Sequence, residues 1–139
     1  MTAPRVIRTH ATAAVALAAA WLAAALILSG TPSVPFRAFN GVLIAIGSLA
    51  VMASLLSVIA YWRARRSDGA ASGGILFVVS ALCLIASWGS SVIGWAEEFR
   101  AGMSLPIINL LFLLLPVGVI LSLAAAWRAA PSSSAPGRS

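Results

Sequence analysis

Four long apolar runs, set apart by short polar segments, organise the chain. They cover residues 11–28, 42–62, 75–95 and 105–127, which is 18, 21, 21 and 23 residues. At about 1.5 Å of rise per residue each reaches roughly 27–35 Å, enough for a hydrocarbon core of about 30 Å. None alternates apolar and polar positions as a half-buried strand does. An open sheet also leaves its edges unsatisfied in lipid, so each run predicts a helix.

The interruptions carry turn chemistry. "SGTPSVPF" holds Pro32 and Pro35, "RARRSDGAASGG" holds three glycines, and "EEFRAGMSLP" leads to Pro106 in the first turn of the last run. The pattern predicts an all-α integral membrane protein of four transmembrane helices, packed as an up-down antiparallel bundle with left-handed crossings. Residues 1–130 form one domain, and the tail "PSSSAPGRS" over 131–139 is too polar and repetitive to bury a core and is expected to be disordered. The first run is mostly alanine and follows a basic start, as a signal peptide would. Its length, and the lack of a small-x-small site at its end, predict an uncleaved anchor instead.

Within the runs, small and polar residues recur at helical spacing. In the second, Gly47, Ala50, Ser54 and Ser57 step by 3, 4 and 3, with Asn40 and Tyr61 in register. In the third, Ser80, Cys83, Ser87, Ser90 and Gly94 step by 3, 4, 3 and 4, with Gly73 before and Glu97 after. A 3.5-residue repeat is the seam of a left-handed helix pair, and in lipid close approach of small residues drives association. The expected packing stripe is therefore Gly47, Ser54, Ser80, Ser87 and Gly94, joining the second and third helices. The leucine-rich fourth run is expected to lie toward lipid. Lining of a narrow polar path is the competing reading of the stripe.

Composition sharpens the class. The chain is 61% hydrophobic and 9% charged, with a mean hydropathy of +1.03, too little charge to cover a soluble domain. All nine basic residues are arginine, and the pI near 11.7 suits nucleic acid in a soluble protein. Here the arginines flank apolar runs, which favours a membrane and argues against nucleic acid. Arg5, Arg8, Arg63, Arg65, Arg66, Arg128 and Arg138 fall on one side; Arg37 and Arg100 fall on the other. The positive-inside rule predicts a multi-pass protein of the bacterial cytoplasmic membrane with N- and C-termini in the cytoplasm. Arg63, Arg65 and Arg66 are then placed to meet anionic headgroups. "FRA" at 36–38 and 99–101 and "WR" at 62–63 and 127–128 echo between the halves. A duplicated hairpin gives this pattern, and so do two unrelated hairpins under the same interface rules.

Candidate chemistry is sparse. One cysteine and one histidine leave no disulfide and no bis-histidine site within one chain. No nucleophile stands with a base and no phosphate loop is legible, so neither catalysis nor a cofactor is expected. The polar candidates are Glu97, Arg100, Arg37, Asn40 and Asn109, with Pro116 as a mid-span kink that frees the Phe112 carbonyl. Two of the three acidic residues stand together in "GWAEEFRAG" at the outer boundary. Glu97, in register with the stripe, is expected to face the bundle, and Glu98 to face water. Two functions remain: a non-catalytic accessory or scaffold subunit that binds another membrane protein or itself, or a compact homo-oligomeric transporter or channel for a small ion or solute.

Overall fold

The computed structural model describes residues 1–33, 35–101 and 110–130, apart from the Phe36 side chain, and those residues are all-helical with no strand. Four helices are each long and apolar enough to cross a membrane. Helix α1 spans Ala3–Ser29, α2 Phe36–Asp68 and α3 Gly74–Ala101; a 3₁₀ turn at Leu110–Leu113 leads into α4 at Leu114–Arg128. Asn109, Pro106 and the 131–139 tail lie outside the described residues.

The helices overrun the apolar runs because nothing local stops them there. Pro4 sits in the first turn of α1, where its missing N–H costs nothing, so the helix starts well before residue 11. Helix α2, at 33 residues, reaches roughly 50 Å, longer than a bilayer core, and carries Arg63, Arg65 and Arg66 beyond its apolar stretch. The stops are chemical. Gly30 and Pro35 bracket the first connection, and Gly69 (φ 82°) and Gly73 (φ 85°) take left-handed conformations that an L side chain resists.

Helix α1 packs against α2 and α4, and α3 packs against the same two. Among the described residues α2 and α4 make no close approach, so the four lie around a square. The core divides into two ends. One gathers Val6 and Ile7 of α1, Tyr61 and Ala64 of α2, Phe77 of α3 and Ala125 of α4. The other gathers Ala14, Leu43, Ala50, Leu84, Trp88, Trp95, Phe112 and Leu115. The basic segment "MTAPRVIRTH" thus lies within the bundle: Ala3, Val6, Ile7, His10, Ala11 and Ala14 are buried at i, i+3, i+4 and i+7 spacing.

Three expectations about packing are corrected. The buried row of α3 is Gly74, Phe77, Ala81, Leu84, Trp88, Trp95 and their neighbours, one residue away from much of the expected stripe. Ser80 and Ser87 are buried but turn to the fourth helix and the 3₁₀ turn before it, where they donate to the carbonyls of Gly118 (2.7 Å) and Phe112 (3.5 Å) respectively. Gly94 is not part of the seam, since a Cβ built there meets nothing within 4 Å. The helix least covered is also α1 and not α4. Only 6% of the most apolar stretch of α1 is buried, against 28% for the fourth helix. The reason is that Phe112, Leu115, Gly118, Ser122 and Ala125 give the leucine-rich helix a narrow inward face among its outward leucines.

Pro116 lies within the helical run Leu110–Arg128, and the Phe112 carbonyl that its missing N–H leaves free accepts from Ser87 Oγ at 3.5 Å. The proline stands in the first turn of α4, just after the 3₁₀ turn, where it is tolerated. The two "FRA" segments sit differently: Phe36–Ala38 opens α2, whereas Phe99–Ala101 closes α3.

Candidate functional site

Helix α3 brings Trp88, Trp95 and Glu98 onto one buried face because they continue two heptad-spaced rows. Gly74, Ala81, Trp88 and Trp95 form one, and Phe77, Leu84, Ser91 and Glu98 form the other. This register decides the question raised by "GWAEEFRAG". Glu98 is the buried carboxylate, 7% exposed, and Glu97 faces outward. The expected assignment is reversed because Glu98, and not Glu97, continues the buried row of Phe77, Leu84 and Ser91. Among the described residues no ion pair joins Glu97 to Arg100 or Arg37. Arg100 Nε donates to the Ala96 carbonyl at 3.4 Å, and the Arg37 guanidinium lies 5.8 Å over the Phe99 ring.

Asn40 is fully buried at the start of α2, and its Nδ2 donates to the Trp95 carbonyl at 2.9 Å. Gly47, one heptad on, lets α3 close in: a Cβ there would stand 2.6 Å from Val92 Cγ2 and 3.4 Å from the Trp88 ring. Ser54 and Tyr61 continue the same buried row. The space opened by these small residues is filled by an aromatic cluster. Trp21 of α1 stacks on Trp95 at 6.2 Å, meets Trp88 edge-on at 6.1 Å and tilts against Phe112 at 4.9 Å. Trp88 and Trp95 also contact Phe112 edge-on. Ring pairs of these geometries add about 0.5–1.5 kcal/mol each beyond their area. Beside the cluster, Trp21, Ala25, Phe39, Leu43 and Trp95 line a pocket of about 240 Å³. The indole N–H groups of Trp21 and Trp95 and the Oδ1 of Asn40 are buried without a hydrogen-bond partner among the described residues.

At the other end, His10 is buried against Phe77, ring centroids 5.0 Å apart and edge-on, and Phe77 in turn meets Tyr61 at 4.8 Å. The sequence pattern did not single out His10, although its spacing from Ile7 and Ala14 marks the inner face of α1. The three arginines of α2 separate: Arg65 lines a cavity shared with Arg128, whereas Arg63 lines a groove beside Met1 and Leu56. Among the described residues no three His, Cys, Asp or Glu side chains come close enough to hold a metal ion.

The uncovered side of α1 is distinctive in its chemistry. Ala16, Ala19, Ala20 and Ala23 are all exposed, and they set two small-xxx-small pairs, 16/20 and 19/23, on the outside of the bundle. No family model, no curated protein and no solved structure matches the chain.

Proposed function

We propose that the chain is a non-catalytic accessory or scaffold subunit of a membrane complex. It spans the bacterial cytoplasmic membrane four times as an up-down, antiparallel, left-handed bundle, with both termini in the cytoplasm. The observation that carries this reading is the exposed alanine face of α1. Lipid tails are as apolar as leucine, so apolarity gives a helix no preference for protein over lipid. Small residues do, because they let a second backbone approach closely. Gly47 of α2 admits α3 and Gly118 of α4 admits Leu84, whereas α1 buries Ala3, Ala11 and Ala14 at one end and leaves Ala16, Ala19, Ala20 and Ala23 exposed. The interior hydroxyls of Ser80 and Ser87 are engaged with carbonyls of α4 and of the 3₁₀ turn before it, a use that suits gluing helices together better than lining a path.

The test compares the wild-type chain with Ala20→Leu, purified from native membranes in mild detergent. The expected result is a stoichiometric membrane-protein partner with the wild type, reduced about tenfold by the variant, which is about 1.4 kcal/mol of association. The melting temperature of the bundle should not change, because Ala20 is exposed on the outside of α1. A chain that purifies alone in both forms and conducts ions in liposomes favours a compact homo-oligomeric transporter instead.

A further inference from the structure

A cavity of about 500 Å³ lies where the end of α2, the start of α3 and the end of α4 converge. Two cationic side chains, Arg65 and Arg128, line it, and none of the residues around it is acidic. The Arg65 guanidinium carbon lies 5.2 Å over the Trp62 ring centroid, which holds the charge beside the cavity. Helix α3 begins at this cavity, and the partial positive charge of its first turn adds to the same sign of potential. The remaining wall is apolar and open: Ile75 is 83% exposed, and Val79 one turn on is also exposed.

We infer that this cavity is a discrete site for one anionic phospholipid, with its phosphate between Arg65 and Arg128 and an acyl chain along Ile75 and Val79. The inference rests on the membrane reading above and on charge complementarity. Guanidinium groups pair with phosphate oxygens bidentately, and two of them facing one cavity select a headgroup with net negative charge over a zwitterion. Diffuse attraction to a charged surface treats every arginine near the interface alike. This site does not, because Arg63 opens onto a different groove and Arg66 onto neither.

The experiment uses the full chain in phosphatidylcholine nanodiscs doped with phosphatidylglycerol, with retained lipid counted by native mass spectrometry. The wild type should retain one phosphatidylglycerol. Arg65→Gln and Arg128→Gln should each lower its occupancy about tenfold, while Arg63→Gln and Arg66→Gln change it less than about twofold. Arg65→Lys should keep part of the occupancy, which separates loss of charge from loss of fold, as does an unchanged melting curve. Inorganic phosphate at the same concentration should displace none of the lipid. Equal losses across all four glutamine variants, equal retention of phosphatidylcholine, or displacement by phosphate would each overturn the site. Alkaline extraction of the starting membranes keeps the two readings apart. A chain that resists extraction yet retains no anionic lipid overturns this site alone, whereas a chain that is released overturns the membrane reading.

Discussion

Glycine positions show how finely the contacts are set at single residues. A Cβ at Gly118 would stand 2.8 Å from Leu84 Cγ and 3.3 Å from Cys83 Cβ, and one at Gly47 would stand 2.6 Å from Val92 Cγ2. A Cβ at Gly74 would overlap the Tyr61 hydroxyl. Gly94, by contrast, has open space. Overpacking a formed interface costs about 1–3 kcal/mol. Gly47→Leu and Gly118→Leu should therefore lower the denaturation midpoint in detergent, while Gly94→Leu leaves it unchanged. Equal tolerance at Gly47 and Gly94 would show that α2 and α3 do not meet where described. The residues of α2 were the most legible ones in the sequence, because Asn40, Gly47, Ser54 and Tyr61 are at once conspicuous in an apolar run and truly on its buried face. Asn40 gained its meaning only from the structure, since its partner is a backbone carbonyl 55 positions away.

Helix by helix, legibility follows from what fills the contact. The existence of four helices is written in the lengths of the apolar runs and in the glycines and prolines between them. Their rotation is not, because in helices apolar all round a leucine outside and a leucine inside look alike. Small polar residues are then the usable signal, and in α3 they mark only part of the buried face: Ser80 and Ser87 lie on it, but so do Trp88, Trp95 and Glu98, while Gly94 and Glu97 stand beside it. Helix α1 misleads in another way. Arg5 and Arg8 disguise a buried face that His10 shares with Val6 and Ile7, and the plainly apolar alanine stretch is the uncovered part. The rotation of α3 predicts a difference between adjacent carboxylates. Glu98→Ala should destabilise the bundle by about 1–3 kcal/mol, the range for removing a buried polar partner. Glu97→Ala should stay within about 0.5 kcal/mol, as exposed substitutions do. Thermal unfolding of the two variants in detergent measures both, and matching losses would put α3 back in the register of the small residues.

For the molecule as a whole, charge and geometry divide the labour. The arginine distribution is the basis for the proposed orientation, which packing alone does not give, since a square of four helices is the same bundle either way up. Packing supplies what the charges do not: which sides are closed, and that α1 offers an alanine face to whatever lies beyond it. The scaffold proposal and the phospholipid site at Arg65 and Arg128 both depend on four membrane crossings with the termini inside. Single-cysteine labelling in a Cys83→Ser background tests that dependence most directly. A cysteine at Ser33, in the α1–α2 connection, should react with a membrane-impermeant maleimide in intact cells. One at Ser72, in the α2–α3 connection, should react only after the cells are opened. Labelling of Ser72 but not Ser33 in intact cells would reverse the orientation, and labelling of both before opening would contradict a chain that crosses the membrane between them.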